Sequence, residues 1–281
     1  MATNPGTLTL VGTPLGNLAD MTPRAQEALT KADVIACEDT RRTGQLLHLL
    51  GLKAPKLVSF HKDNEHAKQA DVLSLLTSGQ NVVLVSDGGM PGISDPGAFL
   101  VAAVRAAGLQ VEICPGPTAV TTAVAGSGFF GAFRFVGFPP RKAQELRTAL
   151  QKLQTAPDIL VFYESPNRVA ATVEAMVQVF GGTRKAWLAR ELTKMHEEWL
   201  GPTLADMAAT LAERGEIKGE CVLVVEGAGE EAQTAEDIAD DEILAQLKQG
   251  HSVKDVAAWL SAVSLQPKSQ AYSRVQALKQ P

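Results

Sequence analysis

Asn81-Val82-Val83-Leu84-Val85, followed at once by Ser86-Asp87-Gly88-Gly89-Met90-Pro91-Gly92-Ile93-Ser94-Asp95-Pro96-Gly97, decides the fold class of this chain. After the opening Asn the first run is wholly apolar, with no polar alternation, as in a strand covered on both faces. The residues that follow are dense in Gly, Pro, Ser and Asp and outnumber what a simple turn needs. A buried strand that empties into a long glycine-rich loop is how an open parallel sheet borders its ligand crevice, because glycine lets backbone N–H and C=O groups approach a ligand closely.

Similar apolar runs lie at 7–11, 33–37, 56–60 and 110–114, alternating with amphipathic stretches at 24–32, 45–50, 65–76 and 99–107. This alternation predicts an α/β fold built on a parallel sheet. Two more Gly/Pro-rich turns follow strands of the set, Gly12-Thr13-Pro14-Leu15-Gly16-Asn17 and Pro115-Gly116-Pro117-Thr118-Ala119. Singly each is an ordinary βα turn; three at strand ends favour a ligand site. The texture changes after Phe130, where residues 133–142 are Pro-broken and basic, and strand-like runs resume at 158–163, 185–190 and 221–225 around helical patterns at 169–180 and 204–214. The expected organisation is an N-terminal α/β domain over 1–126, a C-terminal α/β domain over 127–229, an acidic linker over 230–242 and a helical, helix-turn-helix-like tail over 243–281. Helical patterns within that tail fall at 243–248, 253–263 and 271–278.

With 281 residues, 45% hydrophobic and 20% charged, the chain reads as folded and globular, which excludes a disordered chain or a coiled coil. No apolar run approaches the ~18 residues of a membrane span, and the first residues lack a basic n-region and an apolar h-region, so a cytoplasmic protein is expected. Cys37, Cys114 and Cys221 are isolated in apolar runs, the pattern of reduced core thiols, and no metal site is expected. The net charge of −5 is concentrated in the acidic stretch from Glu230 to Glu242. The remaining body is near neutral, which argues against a blanket nucleic-acid binder while leaving room for one basic cleft.

Gly126-Ser127-Gly128-Phe129-Phe130-Gly131 matches G-x-G-x-x-G, yet it follows a helical pattern and leads into a strand, the reverse of a dinucleotide-binding context. Its glycines read as a helix stop. The sequence contains no Walker A motif, no G-x-S-x-G elbow and no H-E-x-x-H. Charged residues do cluster just past strands: Glu38-Asp39-Thr40-Arg41-Arg42, His61-Lys62-Asp63-Asn64-Glu65, Tyr163-Glu164-Ser165-Pro166-Asn167-Arg168 and Arg190-Glu191-Leu192-Thr193-Lys194. Each alone reads equally as a helix cap, a solvated first turn or an ion-pair network.

In order, Thr13-Pro14-Leu15-Gly16-Asn17-Leu18, Cys37-Glu38-Asp39-Thr40-Arg41, the loop from Ser86 to Gly97, Pro115-Gly116-Pro117-Thr118-Ala119, Tyr163-Glu164-Ser165-Pro166 and Arg190-Glu191-Leu192-Thr193-Lys194 closely resemble the ribosomal RNA small subunit methyltransferase I family. That family lies within the tetrapyrrole methylase-like class of S-adenosylmethionine-dependent methyltransferases. One departure is Asp-Gly-Gly-Met-Pro where many relatives read Asp-Ala-Gly-Thr-Pro, which touches a side-chain contact at Met90 and not a backbone one.

The resemblance implies two α/β domains with S-adenosylmethionine between them, a homodimer, and 2′-O-methylation of a decoding-centre cytidine in small-subunit ribosomal RNA, free or within the assembled 30S subunit. It implies cofactor contacts from Leu15, Asp87, Gly88, Gly89, Met90, Ile93, Thr118, Ala119, Phe162, Tyr163, Ser165 and Leu192. Because a ribose hydroxyl is a weak nucleophile, Asp39 or Glu38 is expected as base and Lys194 or Arg41 as stabilising cation. Expected RNA contacts are Arg41, Arg42, His61, Arg134, Arg141, Lys142 and Arg168, since arginine and lysine commonly meet phosphate. In the tail, Lys254, Lys268, Arg274 and Lys279 are expected to line one face. The rival readings are a tetrapyrrole or other small-molecule methyltransferase of the same fold, and a non-catalytic ribosome- or RNA-binding protein.

Overall fold

The computed structural model describes residues 4–228, 240–263 and 268–279. Strands β1 (Thr7–Val11), β2 (Val34–Cys37), β3 (Lys56–Ser59), β4 (Val82–Leu84) and β5 (Gln110–Cys114) form one parallel sheet in the order β3-β2-β4-β1-β5. Chain direction decides which face each helix covers. The steps from β1 to β2 and from β2 to β3 run toward one edge of the sheet, whereas those from β3 to β4 and from β4 to β5 run toward the other. Right-handed crossovers therefore put the first two helices on one face and the next two on the opposite face.

Helices α1 (Pro23–Lys31) and α2 (Thr40–Leu49) accordingly bury Ala25, Leu29 and Leu47 against Val11, Ile35 and Val83. Helices α3 (Glu65–Thr77) and α4 (Ala98–Ala106) bury Val72, Leu76, Leu100 and Val104 against Leu8, Leu10, Val82 and Leu84. Neighbouring strands β1 and β4 send the chain to opposite faces, and the crevice of a doubly wound sheet opens at that switch point.

Helix α5 (Ala119–Ser127) leaves the first sheet but packs on the second, where Val120 and Ala123 meet Val161, Val222 and Val224. Residues 119–126, grouped by sequence with the first unit, thus pack on the second through Val120 and Ala123. The helix ends at Gly128, whose φ of 71° is the left-handed cap that glycine adopts without a Cβ penalty, and a strand follows. The G-x-G-x-x-G match is a helix stop.

The second sheet comprises β6 (Phe133–Gly137), β7 (Ile159–Glu164), β8 (Ala186–Arg190), β9 (Glu198–Leu200) and β10 (Cys221–Val225), in the order β6-β7-β10-β8-β9. It is mixed: β6 and β7 are parallel, while β10 lies antiparallel between β7 and β8. Helices α6 (Ala143–Gln151), α7 (Pro166–Phe180) and α8 (Leu204–Arg214) cover the face that bears Leu160, Phe162, Leu188 and Leu223. Sequence reading misses α6, which buries only Leu146 and Leu150, and β9, whose Glu-Trp-Leu is too short to show a period.

The acidic linker expected at 230–242 lies, up to residue 239, outside the described residues. Asp240, Asp241 and Glu242 belong instead to the first turn of α9 (Asp240–Lys248), where negative charge complements the helix dipole. Helices α9, α10 (Val253–Val263) and α11 (Lys268–Lys279) share a core of Ile243, Val256, Leu260, Ala271 and Val275. Arg274, expected on a basic face, forms an ion pair with Asp240 at 2.8 Å. No described helix is long and apolar enough to cross a membrane.

Two glycines test this packing in opposite directions. A Cβ on Gly116 would stand 2.8–2.9 Å from the backbone of Gly12, with no flexible side chain to yield. Gly44, within α2, has only Leu57 Cδ1 near, at 3.9 Å. Gly116→Ala should lose about 1–3 kcal/mol in urea unfolding, as overpacked sites do. Gly44→Ala should gain about 0.5–1 kcal/mol from helix propensity. Equal shifts in the two variants would contradict the close contact at Gly12.

Candidate functional site

The loops after β1 and β4 are joined by backbone. Thr13 N donates to Gly89 O and Gly89 N to Thr13 O, each at 3.0 Å, and Thr13 Oγ1 donates to Ser86 O at 3.1 Å. The far end of the second loop is held by Glu65, a buried carboxylate whose Oε2 accepts from Gly97 N at 3.1 Å. Two fastened ends leave the middle of a long loop open toward the second sheet.

The second sheet supplies the opposite wall, for a reason of strand direction. Because β10 is antiparallel, Cys221 at its start pairs with Glu164 and Arg190 at the ends of β7 and β8. Residues after β7, after β8 and before β10 therefore converge. Between the two walls lies a cavity of about 520 Å³, within the range of small-molecule and cofactor sites. From the first unit it is lined by Leu15, Arg42, Asp87, Gly88, Gly89, Met90, Ile93, Ser94 and Asp95, and from the second by Phe138, Tyr163, Glu164, Ser165, Pro166, Lys194, Gly219, Glu220, Cys221 and Val222. Thr118 and Ala119, at the start of α5, lie where the two meet.

Of the cofactor contacts expected from sequence, Leu15, Asp87, Gly88, Gly89, Met90, Ile93, Thr118, Ala119, Tyr163 and Ser165 thus come together. Phe162 and Leu192 do not line the cavity. Side chains alternate along a strand, so the Phe162 ring points into the core under α7 and α8 while Tyr163 lines the cavity. Leu192 is buried against Val120, Val222 and Tyr163. Burial, and next the Asp95 charge, push the Tyr163 hydroxyl up to about 12.

The expected catalytic groups separate. Asp39 caps α2, its Oδ1 accepting from Arg41 N at 2.8 Å, and its Oδ2 accepts from the Arg41 guanidinium at 2.8 Å. Those bonds hold the carboxyl well below the usual range, which makes Asp39 a poor base and occupies Arg41. Neither lines the cavity. Glu38 is partly buried, and burial followed by the charges of Asp95 and Asp87 raises its carboxyl, but it too lies outside the lining.

Lys194 does reach the cavity. It is carried on a tight loop in which Glu191 and Thr193, neither a glycine, have φ of 52° and 66°, a conformation that ordinary residues seldom adopt. Its Nζ donates to Glu191 Oε1 at 2.8 Å and Glu220 Oε2 at 3.0 Å. Burial would lower the ammonium, but hydrogen bonds to Glu191 and Glu220 outweigh it and hold the pKa above the ordinary value. A Cβ on Gly16 would overlap Lys194 Cγ, so this residue of the second unit rests on the bare backbone of the first.

The proposed RNA residues scatter for identifiable reasons. Arg42 lines the cavity and pairs with Asp87 at 3.3 Å. Arg134 is paired with Asp158 at 2.7 Å beside the start of β7, the end of the sheet opposite the cavity. Arg168 NH2 donates to Pro139 O at 3.2 Å and Pro140 O at 2.8 Å, and NH1 meets Glu164 Oε1 at 3.4 Å, so its guanidinium is spent inside the protein. His61 follows β3, its backbone N–H donating to Asn64 Oδ1 at 2.9 Å. Arg141 and Lys142 are exposed just past Phe138, with Lys142 paired to Glu145 at 3.0 Å. The charged run that starts at Arg190 continues into an ion-pair network, in which Arg190 and Arg214 both pair with Glu198.

Sequence reasoning misses Asp95, Phe138 and Glu220. Asp95 stands within the decisive loop but carries no mark that singles it out. Burial raises its carboxyl, a Ser86 hydrogen bond partly opposes this, and the charges of Asp87 and Glu220 add to the rise. Glu220 precedes a strand, and only the antiparallel direction of β10 brings it to the cavity. The three cysteines are free and buried; burial pushes the Cys221 thiol up to about 12.

Residues 7–208 match the tetrapyrrole (corrin/porphyrin) methylases. The chain is 42% identical over 260 residues to a ribosomal RNA small subunit methyltransferase I of Xylella fastidiosa, covering 92% of this chain and 94% of that protein. It is 45% identical over 224 residues to the protein of that name from Escherichia coli O157:H7, covering 79% and 78% of the two chains. Among solved structures, the uroporphyrin-III C-methyl transferase of Thermus thermophilus in complex with S-adenosyl homocysteine superposes with a TM-score of 0.56 at 19% identity, over 79% of this chain and 97% of that one. The joined loops of the first sheet, the mixed second sheet and these relationships agree: the chain belongs to the ribosomal RNA small subunit methyltransferase I family of the tetrapyrrole methylases.

Proposed function

We propose that this protein is an S-adenosylmethionine-dependent methyltransferase of small-subunit ribosomal RNA that acts on the 2′-oxygen of a cytidine ribose. The observation that supports the cofactor is the charge of the cavity wall. It presents the carboxyl groups of Asp87, Asp95 and Glu220, while its cations, Arg42 and Lys194, are already paired with Asp87, Glu191 and Glu220. Such a wall suits a ligand with a sulfonium and an ammonium and repels a polyphosphate. The approach of bare backbone at Gly88 and Gly89 suits a flat adenine and an amino-acid end. When bound, S-adenosylmethionine supplies an activated methyl group on a positively charged sulfur.

The chain's own contribution is alignment and proton handling. Fixed loops hold two reactants in line, and that alone lowers a displacement barrier. A ribose hydroxyl also benefits from a nearby base, and a base is stronger when its pKa is raised. Asp95 is the cavity carboxylate with a raised pKa, and it takes the role that sequence reasoning gave to Asp39 or Glu38. Lys194, held protonated between Glu191 and Glu220, contributes by fixing those two carboxylates beside the cavity. The family's RNA substrate, free or in assembled 30S subunits, a homodimer and a cytoplasmic location belong to the same reading.

The direct test is transfer of radiolabelled methyl from S-adenosylmethionine to small subunits lacking the modification, followed by nuclease mapping. Label on a cytidine 2′-oxygen is the expected outcome; label on a base, or on a small tetrapyrrole alone, would overturn it.

Asp95→Asn should lower kcat by about 10²–10⁴-fold, the usual range for a lost general base, whereas Asp39→Asn should stay within a few-fold of wild type. The acid limb of the kcat profile should rise with pH through a midpoint above the ordinary carboxylate value of 3.8 and disappear in Asp95→Asn.

Stability should move the opposite way. A pKa raised in the folded state means that the ionised carboxyl opposes folding, so its favourable contribution exists at low pH and is lost as pH rises through the folded value. At neutral pH Asp95→Asn should therefore melt at or above the wild-type temperature, and the gap should close below pH 3.8. A variant that is both less stable at pH 7 and fully active would refute this assignment.

A further inference from the structure

At the mouth of the cavity, the segment after β6 forms a structure of its own. Gly137 has a φ of 80°, and the β6–β7 register shifts between Phe135 and Gly137, so the chain leaves the sheet abruptly. Phe138 follows and lines the cavity, yet the residue remains 60% exposed. It is not a loose surface residue. Its ring meets Tyr163 edge-on at 5.6 Å between centroids, and Tyr163 is in turn edge-on to Phe135 at 4.8 Å.

The backbone just past Phe138 is fixed from below. Arg168 NH2 donates to Pro139 O at 3.2 Å and to Pro140 O at 2.8 Å, and two prolines limit what that backbone can do. Arg168 is itself oriented by Glu164, a fully buried carboxylate 3.4 Å from NH1. Glu164 is locked by Ser165 N at 2.7 Å and Thr172 Oγ1 at 2.7 Å. A buried carboxylate, an arginine strut and two prolines thus hold one aromatic ring half in solvent. Exposing so much apolar area has no packing benefit. Arg141, three residues on, is exposed and makes no ion pair among the described residues, and Lys142 lies beside it.

We propose that Phe138 is a stacking platform for a nucleobase of the RNA substrate, that Arg141 and Lys142 attend the neighbouring phosphates, and that Arg168 is a positioning residue that holds the platform. A rigid aromatic face next to a short basic run is how proteins grip unpaired nucleotides, with stacking tolerant of base identity and cations following the backbone. The arrangement also explains why Arg168, read from sequence as an RNA contact, faces inward. This inference rests on the methyltransferase reading above and adds to it the subsite at which RNA is held.

The test is steady-state methyl transfer to unmodified small subunits, with RNA and S-adenosylmethionine varied separately, and cofactor binding measured by calorimetry. Phe138→Ala should raise the KM for RNA by about 5- to 100-fold, the range of a lost base–aromatic stack. The Kd for S-adenosylmethionine should change by a smaller factor than the RNA KM, because Phe138 also lines the cavity, and Phe138→Trp should restore the RNA KM. Arg168→Lys, which keeps the charge but cannot span both carbonyls and the carboxylate, should move the RNA KM in the same direction with kcat much less affected. An unchanged RNA KM in Phe138→Ala, or a loss confined to cofactor affinity, would overturn the platform while leaving the methyltransferase reading intact. Failure of the wild-type protein to label RNA at all would overturn both.

Discussion

The two-way backbone bridge between Thr13 and Gly89 is the constraint on which the site depends. Parallel strands β1 and β4 are neighbours whose chains depart to opposite faces, so without it the loops after them would have no reason to stay together. The bridge turns a topological gap into a floor. Glu65 fastens the far end of the longer loop at Gly97, and the close approach of Gly12 to Gly116 brings the third loop alongside. The first and the last of these connections require backbone to meet backbone, which is why the sequence concentrates glycine there.

The second unit answers this floor with side chains. Inserting β10 antiparallel between β7 and β8 gathers Tyr163, Glu164, Lys194 and Glu220 at one end of the sheet. Lys194 is locked between Glu191 and Glu220, and its stem rests on Gly16 of the opposite wall. Helix α5 ties the halves further, since it starts at the cavity and ends in the second core. The result is a recess with an excess of carboxylate, in which fixed positive charge is already paired. A cationic ligand gains from such a field and an anionic one loses.

Much of the first sheet is legible in the sequence because strands buried on both faces leave unbroken apolar runs, as Val82-Val83-Leu84 does. The loops at their carboxyl ends are legible for the same reason. The second unit is less so. Glu220 lies before its strand, and nothing local reveals that β10 runs against its neighbours. Phe162 and Tyr163 are adjacent letters on opposite faces, a distinction that strand alternation carries but a motif match blurs. Charged residues are the least legible of all. Arg134, Arg168 and Asp39 look alike in sequence to groups awaiting a ligand, yet each is committed: Arg134 to Asp158 and Arg168 to the Pro139 and Pro140 carbonyls across the fold, Asp39 to Arg41 two residues on.

The most direct test of this account is amide hydrogen exchange with and without S-adenosylmethionine. The account predicts slowed exchange in two separated segments at once, 86–97 from the first unit and 219–222 from the second, with little change at the opposite ends of both sheets. Protection confined to one unit, or absent from both, would contradict a cofactor cavity built jointly by the two sheets.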